Sequence, residues 1–90
     1  MKLVKKVRVQ NQLGLHTRPA TVIVQMLQGC SCSVSFTCGD DEVNAKSLLS
    51  LLMLAAAKNT QITVTVEGQE SDVEKTMQEL VQGFNNSFGE

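Results

Sequence analysis

Residues 61–67 read Gln61-Ile62-Thr63-Val64-Thr65-Val66-Glu67, and shortly afterwards the chain continues Ser71-Asp72-Val73-Glu74. In the first stretch Ile62, Val64 and Val66 alternate with polar residues, the period of a β-strand with one buried face. The second stretch has the spacing of a capping box, so a helix is expected to start at Ser71. Val73, Met77, Leu80, Val81 and Phe84 then recur at helical spacing and mark its buried stripe. A one-faced strand feeding an amphipathic helix predicts a sheet covered on one side only.

The remainder of the chain repeats this grammar. Cys32-Ser33-Val34-Ser35-Phe36-Thr37-Cys38 alternates apolar and hydroxyl residues, which predicts a strand over 31–38 with Cys32 and Cys38 in the core as small hydrophobes. Cys30, just after Gly29, is expected to be exposed. Leu3, Val7 and Val9 outline a first strand within 2–10, with Lys5 breaking the alternation. A turn at Gly39-Asp40-Asp41 leads to a short strand near Glu42–Ala45. Between the first two strands, Ala20, Ile23, Val24 and Leu27 form a helical stripe, with Pro19 in the first turn and Gly29 at the exit. Ser47 is placed to cap a compact helix running to Ala57, with Asn59 as its left-handed exit.

The predicted order is β-α-β-β-α-β-α in one domain, residues 1–90. Four short strands with single apolar faces give an α+β, two-layer open-faced sandwich with an antiparallel sheet. The middle helix carries two apolar stripes, Leu48, Leu51, Leu52 and Ala55 on one and Leu49, Met53 and Ala56 on the other. Either it sits unusually deep, or some Leu and Met side chains form an exposed docking patch.

Composition narrows the function. Eight Lys and Arg against nine Asp and Glu leave a net charge of −1, with no footprint for nucleic acid or an anionic membrane. A single His excludes a multi-histidine metal site, and three cysteines without a CxxC neither frame a disulfide scaffold nor build a zinc site. The longest apolar run, Leu48–Ala57, is too short to span a bilayer, and Met1–Lys6 has no signal-peptide pattern. A cytoplasmic protein is expected.

One constellation stands out. Gly14-Leu15-His16-Thr17-Arg18-Pro19-Ala20 joins a turn to a helix start. Unpaired N–H groups there, with the positive end of the helix dipole, favour a phosphoryl anion. Arg18 adds a fixed cation, and imidazole is a nucleophile near neutral pH. The same residues also fit a plain polar cap, and spacing alone leaves both readings open.

Asn11-Gln12-Leu13-Gly14-Leu15-His16-Thr17-Arg18-Pro19-Ala20 resembles the signature of the HPr-type phosphocarriers of the bacterial phosphoenolpyruvate-dependent phosphotransferase system. Val43-Asn44-Ala45-Lys46-Ser47, followed by a Leu-rich helix, resembles that family's serine site. The resemblance spans essentially the whole chain. It implies a sheet order of 1-4-2-3 and a phosphoryl group carried on His16 Nδ1. Enzyme I would load that group and enzyme IIA-type domains would take it. Arg18 would steady the phosphate, while Thr17, Pro19 and Ala20 shape the helix start. Leu48, Leu49, Leu52 and Met53 would dock partners, and Ser47 would be phosphorylated by an HPr kinase/phosphorylase. No cofactor or metal is implied, and the expected species is a monomer acting as a covalent shuttle rather than a stand-alone catalyst.

Some positions depart from the family pattern. Ser50, Ala55 and Asn59 stand where glycines are common. The Leu51–Leu54 run and the Phe84–Phe88 tail resemble the nitrogen-related branch, NPr, whereas Lys46-Ser47 resembles the kinase-regulated branch. A carrier in sugar transport and a purely regulatory carrier both fit, and the rival from another class is a non-covalent small-ligand-binding module.

Overall fold

A computed structural model describes residues 1–90. Four strands, β1 (Lys2–Arg8), β2 (Ser33–Cys38), β3 (Asp41–Asn44) and β4 (Gln61–Glu67), alternate with α1 (Thr17–Leu27), α2 (Leu48–Leu54) and α3 (Glu70–Asn85) in the predicted order. A short 3-10 turn, Ser87–Gly89, closes the chain. The strands pair antiparallel in the order β1-β4-β2-β3, as the resemblance implied.

Alternation sets the register. Val7 pairs with Ile62 across β1 and β4, and Phe36 pairs with Val64 across β2 and β4. Ile62, Val64 and Val66 are wholly buried, as are Val34 and Phe36 to within a few per cent, while Ser33 and Gln61 face water. The helices cover this apolar face, contributing Ala20, Ile23 and Leu27 from α1, Leu51 from α2, and Val73, Met77, Leu80 and Phe84 from α3. Phe84 ties the layers together, packing 5.5 Å from the Phe36 ring and edge-on to Phe88 at 4.9 Å. No helix is long and apolar enough to cross a membrane.

Five local expectations need correction. Helix α3 begins at Glu70 after an extended Gln69, whose side chain makes no capping bond, so Ser71 lies inside the first turn and there is no capping box. Glu70 and Asp72 in that turn instead complement the positive end of the helix. Helix α2 ends at Leu54 rather than Ala57, because Ala55 itself adopts the left-handed conformation (φ 52°, ψ 38°) and donates its N–H to the Leu52 carbonyl. Asn59 is also left-handed (φ 72°) but lies in the loop beyond. Finally, Cys32 is buried, whereas Cys38 at the strand end and Cys30 are each half-buried. Cys30 is not free in solvent because its sulfur packs beside Thr76 of α3, 3.4 Å from the hydroxyl.

The middle helix resolves its two stripes unequally. Leu51 is fully buried and Leu52 half-buried, while Leu48, Leu49 and Met53 expose 38%, 68% and 74% of their surface. A two-turn helix cannot turn both stripes toward one sheet, and the surplus faces water.

Candidate functional site

His16 is the N-cap of α1, with an extended backbone (φ −77°, ψ −170°) and no side-chain bond to the helix start. Its carbonyl accepts the Ala20 N–H at 3.1 Å, closing the first turn. Ser, Thr or Asp in this position would stabilise the helix by about 1 kcal/mol through a capping bond that His16 does not make. The backbone N–H groups of Thr17 and Arg18 therefore bond no protein acceptor. Pro19 supplies no N–H, and with Ala20 it is buried, fixing the direction of the helix entry.

The approach to His16 is fixed by contact with the α2 exit. Gly14 is left-handed (φ +70°), and a Cβ there would sit 2.2 Å from the Ala56 carbonyl oxygen. That same carbonyl accepts the Leu15 N–H at 2.9 Å. The left-handed turn at Ala55 delivers the Ala56 carbonyl to this point, so the short α2 and the His16 loop are locked together. Only glycine combines that φ with so close a backbone approach.

The imidazole turns away from the helix, toward the chain end. His16 Nε2 lies 3.0 Å and 3.2 Å from the two Glu90 carboxylate oxygens. The His16 side chain is 31% exposed and that of Glu90 21%. Buried Asn11 steadies the carboxylate: its Nδ2 donates to Glu90 Oε1 and, at 2.8 Å, to the Ser87 carbonyl. The Asn11 hydrogen bond holds the Glu90 carboxyl below its ordinary value against the opposing effect of burial, helped by the His16 bond and by the charges of His16 and Arg18.

A carboxylate below its ordinary pKa only accepts hydrogen bonds, so Nε2 must donate. In the neutral ring the proton therefore resides on Nε2, and Nδ1 carries the free lone pair. A nitrogen with a free lone pair and the unbonded backbone N–H groups of a helix start thus belong to consecutive residues, 16 to 18, and the His16 side chain is partly exposed. Arg18 is exposed on the first turn and forms no ion pair or hydrogen bond, acting on Glu90 through its charge alone.

Ser47 sits where expected, as the N-cap of α2, its Oγ accepting the Ser50 N–H at 3.3 Å. No hydrogen bond joins it to His16, although α1 and α2 pack side by side. Among the docking candidates, Leu48, Leu49 and Met53 are exposed and Leu52 is half-buried. Sequence reasoning missed Glu90 altogether and assigned no role to Asn11.

Residues 3–86 match the family described as the phosphotransferase-system HPr component phosphorylation site. The chain belongs to the HPr family. Among its relatives, the phosphocarrier protein HPr of Chlamydia muridarum is 42% identical over 82 residues, covering 91% of this chain and 77% of that protein. The phosphocarrier protein NPr of Escherichia coli is 33% identical over 91 residues, covering 100% of this chain and 99% of the relative. An HPr structure from Thermoanaerobacter tengcongensis superposes with a TM-score of 0.90 at 28% identity, covering 98% of this chain and 97% of that one. HPr from Bacillus anthracis gives 0.83 at 31%, covering 90% and 94%. The sandwich described above is the HPr fold, and the chain is an HPr-type phosphocarrier of the phosphotransferase system.

Proposed function

We propose that His16 carries the phosphoryl group, on Nδ1. Enzyme I would load it and an enzyme IIA-type domain would take it. The observation that supports this reading is the Glu90 carboxylate on Nε2, which leaves Nδ1 as the nitrogen with a lone pair. That lone pair attacks phosphorus as the bond from phosphorus to enzyme I breaks, and the electrons of the broken bond return to the donor. The ring becomes cationic, and the Glu90 carboxylate offsets the charge through Nε2–H. The free N–H groups of Thr17 and Arg18 and the Arg18 guanidinium answer the phosphate oxygens, with Pro19 and Ala20 fixing the helix that presents them.

Because two partners must reach one nitrogen in turn, their footprints overlap around His16. Leu48, Leu49 and Met53, with the edge of Leu52, supply an apolar surface on the neighbouring helix for both. Phosphorylation of Ser47 by an HPr kinase/phosphorylase would add nearly two negative charges beside that surface and weaken enzyme I docking. The fold would persist, because a helix start tolerates an anion. The working species in this reading is a monomer. Delivery to sugar-permease components is the first reading, and the match to an NPr supports, as a second reading, a regulatory relay without sugar transport.

Incubation with enzyme I and labelled phosphoenolpyruvate tests the assignment. The wild-type chain takes up acid-labile label and His16→Ala takes up none. Label on the His16→Ala chain would refute the carrier role of His16.

A further inference from the structure

The carrier chemistry makes no use of the three cysteines, and two of them are not arranged as inert core residues. Cys30 follows the left-handed Gly29 at the exit of α1, and its half-buried sulfur has polar neighbours on two sides. The Cys32 backbone N–H donates to Cys30 Sγ at 3.3 Å, and the Thr76 hydroxyl on α3 lies 3.4 Å from the same sulfur. That hydroxyl is also 4.0 Å from Cys32 Sγ, so a single side chain bridges both sulfurs. Lys46 reaches across from the start of α2 to place its ammonium 2.7 Å from the Cys30 carbonyl oxygen. A polar groove of about 300 Å³, lined in part by Ser31, Asp72, Lys75 and Thr76, opens beside Cys30 and gives small solutes a path to it.

The two thiols are biased in opposite directions. Burial alone would raise the Cys30 thiol, but the Thr76 hydroxyl, the Cys32 N–H and thiol, and the Lys46 charge together hold it below the ordinary thiol value. Burial pushes the Cys32 thiol up, and the neighbouring Cys30 sulfur pushes it further. A partly exposed, more acidic thiol beside a buried, less acidic one is the division of labour of a nucleophilic and a resolving cysteine. Lone structural cysteines do not need that asymmetry.

We propose that Cys30 and Cys32 form a redox-active dithiol that reacts with hydroperoxides, Cys30 attacking and Cys32 resolving. The Cys30 thiolate sulfur attacks a peroxide oxygen, an S–O bond forms, and the O–O bond breaks with its electron pair leaving as hydroxide or alkoxide. Cys30 is thereby oxidised to a sulfenic acid and the peroxide is reduced. The Cys32 sulfur then attacks Cys30, the S–S bond forms, the S–O bond breaks, and the oxygen departs as water with the Cys32 proton. A thiol reductant reverses the sequence. The site lies at the opposite end of α1 from His16, and its chemistry does not depend on the carrier assignment.

Cys38 serves as an internal control within the same strand segment. The full chain is exposed to limiting hydrogen peroxide, unfolded, alkylated and mapped by mass spectrometry. The proposal expects a peptide containing a Cys30–Cys32 disulfide, short by two hydrogens, while Cys38 remains alkylated. In Cys32→Ala, Cys30 should be trapped by a sulfenic-acid-specific diketone, and Thr76→Val should slow oxidation several-fold in the otherwise wild-type chain. Oxidation of Cys38 as fast as Cys30, persistence of the Cys30 sulfenic acid with Cys32 intact in the wild type, or disulfide-linked pairs of chains as the first product would each overturn it.

Discussion

The Glu90 carboxylate lies 3.0 Å from His16 Nε2 across a sequence separation of 74 residues, and that acceptor leaves Nδ1 as the imidazole nitrogen with a free lone pair. The contact is built from the chain end inward. Ser87 and Phe88 are both left-handed without being glycine (φ 57° and 50°), and Phe88 is driven into the core against Phe84. Each left-handed residue costs on the order of 1 kcal/mol, which burial of the Phe88 ring offsets. The resulting hook brings Glu90 back over the His16 loop, where Asn11 fixes it.

Removing the carboxylate should blur the tautomer. In Glu90→Gln the side-chain amide both donates and accepts, so Nε2 no longer has an obligate acceptor. We expect a mixed-tautomer 15N spectrum for His16 and phosphorylation by enzyme I slowed about tenfold, the scale on which a positioning hydrogen bond to an imidazole acts.

The same contact has a defined pH window. The folded Glu90 value lies below its unfolded one, so the unfolded chain binds a proton first on acidification. The stabilisation is complete above the unfolded carboxylate value, about 4.3, and is lost as pH falls through the lower folded value. Titration followed through the Glu90 side-chain carbon should therefore show a midpoint below that of a free glutamate, and Asn11→Ala should move it back up.

Gly83 holds the hook from beneath. A Cβ there would lie 2.3 Å from Phe88 Cε1, so Gly83→Ala must displace the ring. We expect a loss of about 1–3 kcal/mol in denaturant unfolding, the usual scale of overpacking, together with loss of the Glu90–His16 contact. The wild-type 15N pattern in Gly83→Ala would show that Phe88 does not position Glu90.

The exposed and buried residues of α2 should separate cleanly. Leu51→Ala empties a fully buried site and should cost about 2–5 kcal/mol. Leu49→Asp and Met53→Asp change exposed positions, should shift stability by no more than about 0.5 kcal/mol, and should weaken enzyme I binding at least tenfold. Ala55→Gly relieves a left-handed alanine and should stabilise the fold by about 0.5–1 kcal/mol, which thermal unfolding would register.

Much of this architecture is legible in the chain because it follows from local periodicity. Alternation in 33–37 and 61–67 and the stripe Ala20, Ile23 and Leu27 depend on nearest neighbours, and each assigns its buried face correctly. The ends of helices are less legible. Ala55 ends α2 in a conformation its residue type does not favour, because the Ala56 carbonyl is needed at Leu15. Ser71 looks like a cap, but the extended Gln69 starts α3 before it. His16 and Arg18 could be singled out because both stand at one helix start. Glu90 could not, because its role depends on a left-handed turn through Ser87 and Phe88 that neither residue announces.

The most direct test is the 15N spectrum of the chain labelled in its single histidine, recorded before and after phosphorylation by enzyme I. Prior to transfer, Nε2 should be protonated and Nδ1 should carry the lone pair. Afterwards phosphorus should couple to Nδ1, with Nε2 still protonated. Coupling of phosphorus to Nε2 would contradict the account, because that nitrogen is the one Glu90 holds.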